Sequence, residues 1–132
     1  MSRIAAEKLG STKDPAVIPV LVQAVKNRPD EIRVAAVRAL GNIRHRSAIP
    51  ALLPLLRDSN SMVATAAADA LGEIGHMSAV SGLIDVCRTY KMNPNRHDQL
   101  HGMNRGLYLA ALNALRQIDT IQARAAIEKF GR

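Results

Sequence analysis

Tryptophan is absent from the 132 residues, the other aromatics are only Tyr90, Tyr108 and Phe130, and cysteine occurs once, at Cys87. A single cysteine rules out an internal disulfide. A chain of this length suits one domain and buries roughly two-thirds of the surface it exposes when unfolded. Three aromatic rings cannot fill such an interior, so the core must come from the Ala, Leu, Ile and Val that dominate the 48% hydrophobic fraction. Long apolar runs are missing as well. Charged or polar residues break every stretch short of the roughly 20 apolar residues of a membrane span, and the amino end lacks the apolar segment of a secretory signal. The expected location is the cytoplasm.

Acidic side chains are the minority charge: 11 Asp and Glu stand against 18 Lys and Arg, for a net charge of +7 and a pI near 10.3. Such a balance directs attention to acidic proteins, nucleic acid or an anionic membrane surface as partners, without choosing among them.

What the chain does have is a repeat. A shift of 31 carries Ile18 onto Ile49 and Val80, Leu21 onto Leu52 and Leu83, and Val22 onto Leu53 and Ile84. The same shift carries Ile32 onto Val63, Ala35 onto Ala66, Ala39 onto Ala70, Leu40 onto Leu71, Gly41 onto Gly72 and Ile43 onto Ile74. A shift of 44 continues this second set to Leu107, Ala110, Ala114, Leu115 and Ile118, so the third unit holds 13 extra residues. Backwards, Leu40 and Gly41 fall on Leu9 and Gly10.

Apolar positions within each set are spaced i, i+3, i+4, i+7, the stripe of an amphipathic helix rather than the alternation of a strand. Each unit is therefore two helices. The spacing predicts first-type helices at about 15–26, 47–57 and 78–90, second-type helices at about 3–9, 30–43, 61–75 and 104–118, and a last helix over 120–130. Asp14 before Pro15, Pro29 ahead of Asp30 and Glu31, and Ser47 and Ser78 are the candidate helix starts. Gly41 and Gly72 sit inside a helical pattern, where glycine costs about 1 kcal/mol against alanine, which points to close approach of backbones there. Pro54 falls too deep in its helix to be neutral and is expected to bend it outward. The fold class that follows is all-α: an α-solenoid of about eight helices in stacked antiparallel pairs, each unit burying its neighbour's stripe. Its parts are a half-unit over 1–13, repeats over 14–46, 47–77 and 78–119, an insertion at about 90–106, and a terminal capping helix over 120–132.

The stretch "EIRVAAVRALGNIRHRSAIPALLPLLRDSNSMVATAAADALGEIGHMSAVSGL" resembles HEAT repeats of the short, phycobilisome lyase type, and the resemblance covers nearly the whole chain. It implies a right-handed stack with first-type helices on the convex side and second-type helices lining a concave groove. It also implies a scaffold or protein-binding role, with a bilin lyase or lyase-like chaperone subunit as the alternative.

Catalytic chemistry finds no foothold. No Ser, His and acid grouping, phosphate loop or paired-carboxylate arrangement stands out, and Cys87 aligns with Val25 and Leu56 on a buried stripe. His97 and His101 stand four apart in the insertion, with Asp98 between them, but Gly102 and Asn104 argue against the regular helix that would aim both rings at one metal. Neither a metal nor a cofactor is expected. The residues left on the second-type helices once the buried positions are removed are Arg33, Arg38 and Asn42, then Asp69 and Glu73, then Tyr108, Asn113 and Gln117. These are expected to face solvent in the groove and, with Arg96, His97 and His101 of the inserted loop, to form the partner-binding surface. The expected function is a non-catalytic protein-interaction module with an acidic protein as partner, monomeric or weakly self-associating through the ends of the stack. Nucleic acid is a weaker reading. Arg44, His45 and Arg46 with Lys91, Arg96 and Arg105 give a basic edge, yet the groove lacks a continuous phosphate track and aromatic platforms.

Overall fold

A computed structural model describes residues 2–27, 29–92, 101–118 and 121–130. The α-helices among them are α1 (Arg3–Ser11), α2 (Ile18–Asn27), α3 (Asp30–Ile43), α4 (Ile49–Leu52), α5 (Ser61–Ile74), α6 (Val80–Met92), α7 (His101–Ile118) and α8 (Ile121–Phe130). Strands are absent from the described residues. Helices α1, α3, α5 and α7 lie side by side in one row; α2, α4 and α6 form a second layer against α3, α5 and α7, and α8 packs on α6 and α7. The fold is the expected all-α solenoid.

Its interior follows the repeat. Leu21, Leu52 and Leu83 from the outer layer and Leu40, Leu71 and Leu115 from the inner row are the largest wholly buried side chains. Each contributes about 1.5–3 kcal/mol by leaving water. Cys87 is wholly buried beside them.

Between inner-row helices the contact is made by small residues. A Cβ placed on Gly10 would stand 2.7 Å from the Cα of Ala39, on Gly41 3.0 Å from that of Ala70, and on Gly72 2.7 Å from that of Ala114. Real Cβ atoms essentially never come within 3.0 Å of a neighbouring atom and seldom sit at that distance, so glycine is the residue that admits the alanine of the next helix. The mid-helix glycines thus mark the close backbone approach that their pattern predicts.

The helix ends depart from expectation in one consistent way. His45 and His76, not Ser47 and Ser78, occupy the cap positions. Each imidazole Nδ1 accepts the N–H of the serine two residues on at 3.1 Å and meets that serine's hydroxyl at 2.7 and 2.8 Å. Asp14, the equivalent residue one unit earlier, accepts the Ala16 N–H at 3.0 Å in the same way. Each cap opens a 3-10 turn, at Pro15–Val17, Arg46–Ala48 and Met77–Ala79, before the α-helix begins. At Pro54, where a bend is expected, the helix changes type. Without an N–H to give to the preceding turn, the proline leaves the chain in a 3-10 turn over Leu53–Arg57, and its ring is exposed. At the C-terminal ends Lys13, Arg44 and Gly75 occupy one repeat position, and all are left-handed, with φ of 54°, 58° and 71°. Helical structure also reaches further into the insertion than expected, since α6 runs to Met92 and α7 starts at His101.

Candidate interaction face

The row of inner helices has one face toward the outer layer and one toward solvent. On the open face, positions equivalent by the repeat form two columns across the stack. One runs Glu7, Arg38, Asp69, Asn113 and the other Ser11, Asn42, Glu73, Gln117, and all eight are exposed. The two members on each helix are four residues apart and so lie on one side of it. Six expected groove residues, Arg38, Asn42, Asp69, Glu73, Asn113 and Gln117, are thus brought together on a uniform helical frame.

Arg33 and Tyr108 are not part of it. Both occupy a single repeat position, with Ala64 between them, and that position points into the seam between layers. Tyr108 is only 8% exposed. The Arg33 side chain is 18% exposed: its Nε donates to the Val25 carbonyl at 2.8 Å, one terminal nitrogen donates to Asp30 at 3.0 Å, and both terminal nitrogens engage Asp58. Asn60 completes the network, giving its backbone N–H to Asp58 at 2.9 Å and its side-chain amide to Asp30 at 2.8 Å. The hydrogen bonds from Asn60 and Arg33 hold Asp30 below the usual carboxylate range. At Asp58 burial pushes the pKa up, but the Arg33 hydrogen bond, the Asn60 N–H and the guanidinium charge together outweigh it and bring it down. Arg33 is therefore a pin between two repeats, and its polarity misled the reading of the sequence. Its i, i+3 spacing from Asp30 was the available signal.

Asp69 and Glu73 behave in the opposite sense. Desolvation raises the Asp69 pKa against the nearby charge of Arg38. Desolvation also raises that of Glu73, opposed by Arg44 and helped by Asp69. Neither carboxylate has an ion-pair partner among the described residues. Glu73 lies over the neighbouring helix, its Oε2 standing 2.9 Å from where a Cβ on Gly41 would be, and Gln117 lies over Gly72 in the same fashion at 3.0 Å. Asn113 accepts from Arg116 on its own helix at 3.1 Å.

Beside this patch α1, α3 and the start of α5 enclose a hollow of about 450 Å³. Buried Val34, Ala35 and Ala39 form its floor, and Met62, 64% exposed, stands at its margin with Arg38, Asn42 and Glu31. Met62 and Glu31 were missed because both fall at helix starts, outside the stripe. Over the hollow, the pin beneath it and the α5 patch, the acidic groups are Glu7, Asp30, Glu31, Asp58, Asp69 and Glu73 against Arg3, Arg33, Arg38 and Arg44. Six against four makes this surface net negative by two, within a chain of net charge +7. Arg44, His45 and Arg46 are exposed at the turn after α3. The expected loop contacts Arg96 and His97 lie outside the described residues, and the side chain of His101 does too.

No helix among the described residues is long and apolar enough to cross a membrane. None of the curated proteins compared with the chain is significantly similar to it. The family model for HEAT repeats matches residues 18–91, more than half of the 132. Paired helices in two layers, the Gly–Ala seam repeated along one of them and this match agree, and the chain belongs to the HEAT-repeat family.

Proposed function

We propose that the chain is a non-catalytic protein-binding module whose partner docks on the open face of the inner row. HEAT repeats generally mediate protein–protein interaction or scaffolding. The observation that carries the reading for this chain is the contrast between frame and surface. The seam keeps Gly against Ala at three successive joints, while the two exposed columns change chemistry at each step, from Arg to Asp to Asn and from Asn to Glu to Gln. Solvation alone asks for no such variety, and exposed polar residues on a rigid frame are where recognition is written.

Site-specific photo-crosslinking in cells producing the protein tests this. A photoreactive residue in place of Asn42, Asp69 or Asn113 is expected to capture one discrete protein, and the same residue in place of exposed Arg57 or Arg88 on the outer layer is expected to capture none. Adducts from the outer layer alone, or adducts that nuclease removes, would reject the open face in favour of the outer surface or of the basic edge at Arg44–Arg46. The resemblance of the repeats to the short, phycobilisome lyase type suggests one further titration, with a linear tetrapyrrole. The module reading expects no absorbance shift, and a saturable one moves the protein to the lyase-like alternative.

A further inference from the structure

The chain as a whole is basic while the surface around the hollow and the α5 patch is net negative, and that local charge decides what docks there. We infer that the hollow and the α5 carboxylates beside it form one docking surface for a basic segment of the partner protein. An aliphatic side chain of that segment seats over Val34, Ala35 and Ala39 against Met62, and a lysine or arginine further along it lies over Asp69 and Glu73. This rests on the reading that the partner uses the open face.

Three observations carry it. First, the hollow of about 450 Å³ falls within the roughly 300–1,000 Å³ of sites that enclose small ligands. Its floor is aliphatic while most of its margin is charged or amide-bearing, so an apolar group is held by the floor and its backbone met by Asn42. Secondly, the surface around it is net negative, with Asp69 and Glu73 lacking ion-pair partners among the described residues. A cation set between them gains attraction without displacing an existing pair, and a carboxylate there meets two like charges that only Arg38 and Arg44 offset. Thirdly, the two parts adjoin. Glu73 extends across to Gly41 on α3, next to Asn42 of the hollow. Helices packed side by side are about 8–10 Å apart and an extended chain advances about 3.3 Å per residue, so the aliphatic anchor and the basic residue stand about three positions apart in the segment. A phosphate backbone fits this surface less well, since its carboxylates outnumber its basic groups.

Fluorescence anisotropy with short labelled peptides decides the matter. One peptide carries leucine with lysine three positions on, repeated; in the second glutamate replaces lysine, and in the third serine replaces leucine. The first is expected to bind the full chain in the micromolar range and the other two at least tenfold more weakly. Asp69→Asn with Glu73→Gln, or Met62→Asp, is expected to weaken the first peptide at least tenfold. These residues are exposed, and unchanged circular dichroism with a melting temperature no lower than the parent's would show that the variants fold. Tighter binding of the glutamate peptide overturns the charge assignment yet leaves the open-face reading intact if Met62→Asp still blocks it. Absence of binding by the first peptide overturns the docking surface, whereas the open-face reading falls only if the crosslinks also come from elsewhere. A dimer in sedimentation equilibrium that Met62→Asp dissociates would assign the hollow to a second copy of this chain and overturn the inference as well.

Discussion

The guanidinium of Arg33 spans three elements, tying the end of α2 to the start of α3 and both to the turn after α4. With its side chain 18% exposed and that of Asp58 14% exposed, it is screened less than a surface pair, and its removal leaves a partly buried carboxylate without its cation. Hydrogen bonds to charged groups contribute about 1.5–3 kcal/mol each when a partner is removed, so Arg33→Ala is expected to cost about 2–4 kcal/mol in urea unfolding. Arg33→Lys should recover less than half of that, because an ammonium cannot reproduce the fork that meets Asp58 with two nitrogens. A loss within 0.5 kcal/mol of zero for Arg33→Ala would show that the pin adds nothing beyond packing. The next unit has Ala64 at this position and the third has Tyr108, so the repeat keeps the position buried while changing how it is filled. That is why side-chain polarity alone misplaced both Arg33 and Tyr108 among the groove residues. Asp69 and Glu73 were correctly read as exposed, but the charges of Arg38 and Arg44 that act on them come from the preceding inner-row helix and the turn after it, and no local window of sequence contains those.

At the scale of the helix, the seam between inner-row helices sets intrinsic propensity against packing. Replacing a mid-helix glycine by alanine gains about 1 kcal/mol of helix propensity. At Gly72 the new methyl would stand 2.7 Å from the Cα of Ala114, a backbone atom that cannot rotate away, and overpacking of this kind costs about 1–3 kcal/mol. Gly72→Ala is therefore expected to be net destabilising, by up to about 2 kcal/mol. Gly82→Ala is the contrasting case. There the nearest atom, also at 2.7 Å, is the Cδ2 of Leu53, the end of a flexible side chain, and the variant should be neutral or slightly stabilising. Equal effects at the two sites, read from denaturant midpoints, would remove the seam as the reason for glycine. Almost all of the element order was legible, since a repeat states the same amphipathic stripe several times and each copy corrects the others. What escaped was chemistry at the ends: histidine as a cap acts through one ring nitrogen placed by the turn itself, and serine is the commoner cap. Pro54 was legible as a disturbance, though nothing in its local sequence specifies that the disturbance is a change from α to 3-10 geometry over Leu53–Arg57.

Over the whole molecule the acidic groups fall into two sets that respond to pH in opposite directions. Asp30 and Asp58 have folded-state pKa values below the reference 3.8. Above 3.8 they contribute their full stabilisation, and they lose it as pH falls through their lowered folded values. Asp69 and Glu73 have folded values above their references of 3.8 and 4.5. The folded state holds their protons more tightly than the unfolded one, so stability falls as pH rises through the interval between reference and raised value, and the whole of that loss is present at neutral pH. Two carboxylates that weaken the fold at pH 7 are what a surface shaped for an incoming cation would carry, since stability and binding trade against each other at such sites. The increasing positive charge of the chain in acid complicates any single pH profile, but a difference between two variants cancels it. Asp69→Asn with Glu73→Gln is thus expected to melt above the parent at pH 7, by a modest margin because both side chains are largely exposed and screened. The gap should narrow as pH falls through the reference values of 3.8 and 4.5 and close below about 3, where the parent's own carboxyls are protonated in both states. A gap that persists unchanged in acid would place the gain in packing, and a parent that melts higher at pH 7 would mean that Arg38 and Arg44 already neutralise the pair, leaving the face with no charge to offer a basic partner.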